Sequence, residues 1–133
     1  MTRSICRSLG RNRRGAAAVE FAIAIPVLML MTFACFQIGV LFLANAGLQN
    51  AVGEGARVAT LWPRRTAADI TAEISASQFG LDPARLSDPQ LTFGSTAGQD
   101  WVDITLTYTT DLDLIFFRIE AVELEETRRA YMP

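Results

Sequence analysis

Glu20 is a carboxylate at the edge of a segment that is otherwise apolar. The stretch Arg11–Phe21 reads RNRRGAAAVEF: a basic cluster, a glycine, three alanines, a valine, the glutamate, and then the first residue of a long apolar run. That run, Phe21 to Ala44, has only Thr32 and Gln37 as polar interruptions. A carboxylate inside lipid costs at least about 2.5 kcal/mol at the centre of a spanning helix and less toward the interface, so Glu20 should have a partner or a task. Other chemistry is narrowly bounded. There is no histidine, which excludes Ser-His-Asp and Cys-His catalysis and His-ligated zinc. The two cysteines, Cys6 and Cys35, lie in the basic head and in the apolar run, so a bridge between them is not expected, and no metal-ligand spacing is present. Asp111 and Asp113 could contribute to a calcium site, but two carboxylates without an oxygen-rich loop are a weak signal. Arg57 lies three residues after Glu54 on the same helical face and reads as half of an exposed surface pair, which contributes little. No cofactor or metal is expected, and no enzymatic activity.

The elements that would position Glu20 follow from charge and hydropathy. Five of the twelve arginines precede Gly15 and no acid does; from Ala16 onward there are seven arginines and fourteen acids, a formal −7. A basic head on an acidic body argues against nucleic acid as the main partner and fits the positive-inside rule for a membrane segment. The apolar run is long enough for a bilayer, which takes about 20 residues. Beyond it, Leu48, Val52 and Ala59 continue an apolar stripe with helical period. The pattern predicts one helix over residues 16–61, with a kink near Phe21–Ala22 caused by Pro26, and with Gly39, Gly47, Gly53 and Gly55 allowing close packing. Three segments result: a basic leader (1–15), a transmembrane and stalk helix (16–61), and an extracytoplasmic α+β domain (62–133).

Trp62-Pro63-Arg64-Arg65 ends the long helix and reads as an interfacial or domain-junction anchor. Thr66 and Asp69 resemble a capping box for a second helix, 67–79, with Ile70, Ile74 and Phe79 toward a core and Gly80 as C-cap. Asp82-Pro83 and Asp88-Pro89 bracket a turn-rich connector. The remainder reads as β: a short strand over 90–94, a turn over 95–100, and a strand over 101–110 with Val102, Ile104, Leu106 and Tyr108 on its buried face. A last strand over 121–129 places Val122 and Leu124 opposite Glu123 and Glu125, and its charges suit an edge. Between these two, DLDLIFFRI (111–119) is too long for a tight hairpin and too apolar for water, so it is expected to pack back onto the stem helix. The whole predicts a three-stranded antiparallel meander on the upper half of the helix, which supplies the missing side of the core.

Four readings of the amino-terminal stretch compete. An uncut single-pass anchor explains the arginines and the apolar run and leaves Glu20 without a task. A signal peptide cut after Ala44-Asn45-Ala46 would need a shorter apolar core. Lipid attachment at Cys35 is poorly matched by the preceding Thr32-Phe33-Ala34. The fourth is cleavage between Gly15 and Ala16. A short basic leader ending in glycine, with glutamate as the fifth residue after it, resembles the type IV prepilin cleavage motif. The fuller string GAAAVEFAIAIPVLML, the continuation GLQNAVGEGARVAT and the ending LEETRRAYM are similar to TadE-like pseudopilins, minor pilins of the Tad (tight adherence, Flp) pilus system.

The resemblance implies an α+β pilin-like fold and a structural, non-enzymatic role. It implies that Gly15 and Ala16 flank the processing site, that Arg11, Arg13 and Arg14 supply the leader's positive charge, and that Glu20, with Phe21 beside it, acts in assembly and register. It also implies a set of partners: a membrane aspartyl prepilin peptidase, other minor pilins and the major pilin, an inner-membrane assembly platform, and the lipid bilayer. The location implied is the bacterial inner membrane, amino terminus cytoplasmic and carboxy terminus outside. Physical chemistry supports the carry-over. Cleavage would free the Ala16 amine, cationic at neutral pH because an α-amino group has a pKa near about 8. Ala16 and Glu20 are four residues apart, so the pair could form within one helix or between neighbouring subunits. In a low-dielectric filament core an unpaired charge is strongly disfavoured, so such a pair would set register. The alternative is an uncut, membrane-anchored binding module.

Overall fold

The computed structural model describes residues 13–114 and 116–133, with the side chains of Arg13 and Arg14 left aside. The order of elements is α1 (Arg13–Ala59), α2 (Ala67–Ala76), a 3-10 turn (Pro83–Arg85), β1 (Gln90–Thr96), β2 (Gln99–Leu114) and β3 (Phe117–Tyr131). Contacts divide the chain into two units, Met1–Phe36 and Gln37–Pro133. The first has no sheet among its described residues. The second holds the core.

Among the described residues helix α1 already includes Arg13, three residues before the expected start. A single helical glycine costs only about 1 kcal/mol relative to alanine, and the three alanines after Gly15 are the best helix formers available. The helix continues past Pro26, whose missing amide leaves one carbonyl of the preceding turn without its helical donor. At the far end, Ala59 is the last helical residue. Thr60 and Leu61 then tighten into shorter-range bonds, their amides donating to the Arg57 and Val58 carbonyls at 3.2 and 3.1 Å. The helix therefore stops two residues short of the expected Leu61, ahead of Pro63.

Helix α2 opens on the expected capping box. The Asp69 amide donates to Thr66 Oγ1 at 3.2 Å and the Thr66 amide donates back to Asp69 Oδ2 at 3.0 Å. Ile70 and Ile74 are fully buried. The helix ends earlier than expected, at Ala76 with Ser77 as cap, not at Gly80. The reason lies in α1: Asn50 Nδ2 donates to the Ser77 carbonyl at 3.0 Å, and the Phe79 carbonyl is seated against Gly47. The segment after Ser77 thus bonds to α1 and not to its own helix. Phe79, expected in the core, is half exposed, and Gly80 takes a positive φ of 65° in the following connector.

The sheet is the expected antiparallel meander, β1-β2-β3. Ala97 and Gly98 form the first hairpin turn with φ of 52° and 82°, the double left-handed geometry of a tight two-residue loop between Thr96 and Gln99. The second hairpin departs from expectation. DLDLIFFRI meets the stem helix as expected, the Asp113 carbonyl accepting from Gln37 Nε2 at 2.9 Å, but as paired strand and not as a connection: β2 continues to Leu114 and β3 starts at Phe117, these two residues being paired. A bulge between Thr110 and Leu112 interrupts the register, opposite Ala121 with its φ of 56°. The alternation of polar and apolar residues in LDL and FRI suits a strand once the bulge resets the phase.

The core joins α1 to the sheet and to α2. Leu48 and Val52 of α1, Ile70 and Ile74 of α2, and Val102, Ile104 and Leu106 of β2 are all fully buried, with Ala130 and Met132 closing the β3 end. Each such Leu, Ile or Val side chain stabilises the fold by about 1.5–3 kcal/mol. This is the packing that the apolar stripe and the alternation of β2 predict.

Candidate functional site

The candidate site lies on the first turns of α1. Arg11 falls outside the described residues, as do the side chains of Arg13 and Arg14. Gly15, Ala16, Ala17 and Ala18 are exposed, and among the described residues no atom lies within 4 Å of where a Cβ on Gly15 would project. The Gly15–Ala16 bond sits inside the helix. Phe21, 67% exposed, begins the apolar surface.

Glu20 is exposed and heads a row formed by Ile23, Ala24, Val27, Leu28 and Met31. The spacing is that of one helical face, and Glu20 is the charged member of that row. Among the side chains described, no cation pairs with Glu20. Ala16 precedes Glu20 by one helical turn, so its nitrogen and the carboxylate belong to the same side of the helix. The helix surface onward from Val19 carries exposed Ile23, Leu28, Met29, Met31 and Phe36. Among the described residues one helix is long and apolar enough to cross a membrane, Gly15–Ala59 with a mean hydropathy of 2.3 in its most apolar window. Its exposed apolar surface is consistent with membrane anchoring, and Cys35 is a free, exposed thiol within it.

The secondary candidates resolve into structural contacts. Arg57 Nε donates to Glu54 Oε2 at 2.6 Å, the surface pair expected from spacing. Asp111 and Asp113 do not converge. Asp113 receives both donors of Arg118, at 2.8 and 2.6 Å, and this bidentate contact holds its carboxyl below the usual carboxylate range. Asp111 Oδ1 accepts from the Ala121 amide at 3.1 Å, and its other oxygen lies 3.6 Å from Arg85. Trp62 is exposed, and Arg64 beside it reaches Asp100 of β2 at 2.7 Å, so the linker is tied to the sheet by its arginine. Two features escape sequence reasoning. One is the Asp103–Arg129–Trp101 cluster, which needs the β2–β3 register to become visible. The other is the exposed apolar tip of the second hairpin, which was legible as hydrophobicity but not as shape.

A long amino-terminal apolar helix, a short second helix and a three-stranded antiparallel meander packed on the carboxy-terminal part of the first define an α+β, type IV pilin-like chain. Within that class the segment that carries the candidate site is TadE-like: residues 15–57 match the family model described as TadE-like protein. The match starts at Gly15 and covers GAAAVEFAIAIPVLML and most of GLQNAVGEGARVAT; it does not reach the ending LEETRRAYM. No curated protein and no solved structure matches the chain.

Proposed function

We propose that this chain is a minor pseudopilin: a structural component of a Tad-type adhesive pilus, cleaved between Gly15 and Ala16 by a prepilin peptidase and held in the inner membrane by α1. The family match supports a Tad-pilus-associated component. The observation that carries the finer reading is the coincidence of three things at one place. The family segment begins at Gly15, Glu20 heads an otherwise apolar row running to Met31, and one helical turn separates it from Ala16. In this reading the leader arginines stay in the cytoplasm, and the body, residues 62–133, lies outside. Removal of the leader deletes the arginine cluster and creates the cationic amine that Glu20 lacks. Assembly with other minor pilins, the major pilin and the membrane platform then proceeds through the exposed apolar surface of α1, with the Ala16–Glu20 pair setting axial register. The role is structural and involves no catalysis by this chain.

The test is intact mass and amino-terminal sequencing of the chain from cells with and without the peptidase. The mature chain is expected to begin at Ala16 only when the peptidase is present; a chain that still begins at Met1 sinks the pilin reading. Glu20→Ala separates the two parts of the claim. It is expected to leave cleavage intact and to abolish pilus assembly, and unaffected assembly would remove the register role while leaving processing in place.

A further inference from the structure

The tip of the β2–β3 hairpin is apolar and uncovered: Phe116 is 73%, Phe117 59% and Ile119 46% exposed. Its position is fixed within the unit Gln37–Pro133 by two contacts. Ile104 of β2 packs at the level of Gly55, its Cδ1 3.6 Å from where a Cβ there would lie, and the Asp113 carbonyl accepts from Gln37 Nε2 at 2.9 Å. Between those contacts the helix rises about 27 Å and the strand about 30 Å, so β2 runs alongside α1 in the opposite sense. The tip therefore stands at the Gln37 end of the unit. Gln37–Ala44 is the last part of the apolar run, with Ile38, Phe42 and Leu43 exposed. A hairpin end at that level lies beside the outer end of the segment read as membrane-spanning.

We propose that this hairpin tip is a second membrane anchor, with Phe116, Phe117 and Ile119 inserted in the interfacial layer of the outer leaflet around α1. The inference rests on the membrane reading of α1. The distribution of charge fits an interfacial depth. Leu112 faces α1 together with Val40 and Leu41, and its cross-strand partner Ile119 and the pair Leu114–Phe117 share that face by strand alternation. Asp113 and Arg118, on the opposite face, neutralise each other through two hydrogen bonds, so the pair can approach headgroups without a net charge. Asp111 and Glu120, nearer the body, mark where the surface returns to water. Aromatic side chains on an amphipathic element are the usual interfacial anchors.

The test uses the full chain in vesicles of phosphatidylethanolamine and phosphatidylglycerol, in a Cys6→Ser, Cys35→Ser background. Single cysteines replace Phe116, Leu28 in the span and Ala97 in the β1–β2 turn, and each carries an environment-sensitive fluorophore. Lipids bearing a nitroxide near the headgroup act as quencher. The expected result is blue-shifted emission and loss of most fluorescence at 116, quenching at 28, and neither at 97. If 116 behaves like 97 while 28 is quenched, the tip is in water and the proposal fails with the membrane reading intact. A probe at 116 that is blue-shifted but not quenched by lipid is covered by protein, such as a second copy, and overturns the proposal equally. If 28 is also unquenched, α1 is not in the bilayer and both readings fall. Phe116 contributes nothing to the core, and unchanged circular dichroism of the labelled variant verifies that the body is intact.

Discussion

Asp103 and Arg129 stand directly opposite each other on β2 and β3, and the register alone makes them a pair. The guanidinium gives both of its forward donors to the carboxylate, each at 2.7 Å, and lies 4.0 Å from the centre of the Trp101 ring. The hydrogen bond from Arg129 holds the Asp103 carboxyl below its ordinary range. Asp69, Asp100 and Asp113 are lowered in the same way, by the Thr66 cap, by Arg64 and by Arg118. A carboxylate with a depressed folded pKa stabilises the fold fully above its unfolded pKa, about 3.9 for aspartate. That contribution is lost as pH falls from there through the folded value. The body should therefore lose stability on acidification below about pH 4, with little change between neutrality and that point. Denaturant midpoints at successive pH values measure this. Arg129→Gln should flatten part of the acid slope and return the Asp103 titration, followed by carboxyl NMR, to the ordinary range. An Asp103 that titrates identically in both proteins would show that the cross-strand pair carries no linkage. Sequence made both residues visible as polar members of alternating strands. It could not pair them, because register is a property of two strands and a bulge, not of either segment.

Close packing at the scale of elements is set by two glycines of α1. A Cβ on Gly55 would lie 2.5 Å from Cγ1 and 2.9 Å from Cδ1 of Ile74, and one on Gly47 would overlap the Phe79 carbonyl oxygen. The first clash involves a fully buried β-branched side chain that must repack, the second involves backbone. Replacing a helical glycine by alanine gains about 0.8–1 kcal/mol of intrinsic propensity, whereas overpacking costs about 1–3 kcal/mol or more. Gly55→Ala should thus be destabilising by a net amount on the order of 1 kcal/mol, and Gly47→Ala by more. At Gly53 the nearest atom is the flexible end of Arg128 at 3.2 Å, so Gly53→Ala should be neutral or stabilising. Urea titration of the three variants checks the order, and a Gly47→Ala protein as stable as the wild type would contradict the packing argument. These glycines were legible as helix-packing residues, but sequence could not say which of the four mattered. The same limit explains two of the displaced boundaries. The end of α2 is decided by Asn50 and Gly47, some thirty residues earlier in the chain, and DLDLIFFRI reads as a connection until a bulge at Thr110–Leu112 supplies the missing phase. The Gly15, Ala16 and Glu20 constellation, by contrast, lies within six consecutive residues of one helix, so its geometry follows from spacing alone.

At the scale of the molecule, every residue of the core cluster lies between Ala44 and Met132. The unit Met1–Phe36 contributes none of them, and its described apolar side chains are largely exposed. The body should accordingly fold without that unit. A chain beginning at Gln37 retains the whole core and the Gln37–Asp113 hydrogen bond, and should unfold in a single cooperative thermal transition. It will need mild detergent, because Ile38, Phe42 and Leu43 remain exposed. A chain beginning at Gly55 loses Ala44, Leu48, Ala51 and Val52. Fully burying Leu48 and Val52 stabilises the fold by about 1.5–3 kcal/mol each, and their removal also uncovers the apolar face of β2. Total stabilities are about 5–15 kcal/mol, and three strands with one short helix are marginal on their own. The shorter chain should therefore show no cooperative melt by circular dichroism. A cooperative transition in it would mean that the sheet and α2 are self-sufficient and that α1 merely leans on a finished domain. Its absence, with cooperative unfolding in the longer chain, would make the carboxy-terminal turns of α1 an integral wall of the body, so that force or register shifts applied along the helix reach the sheet directly.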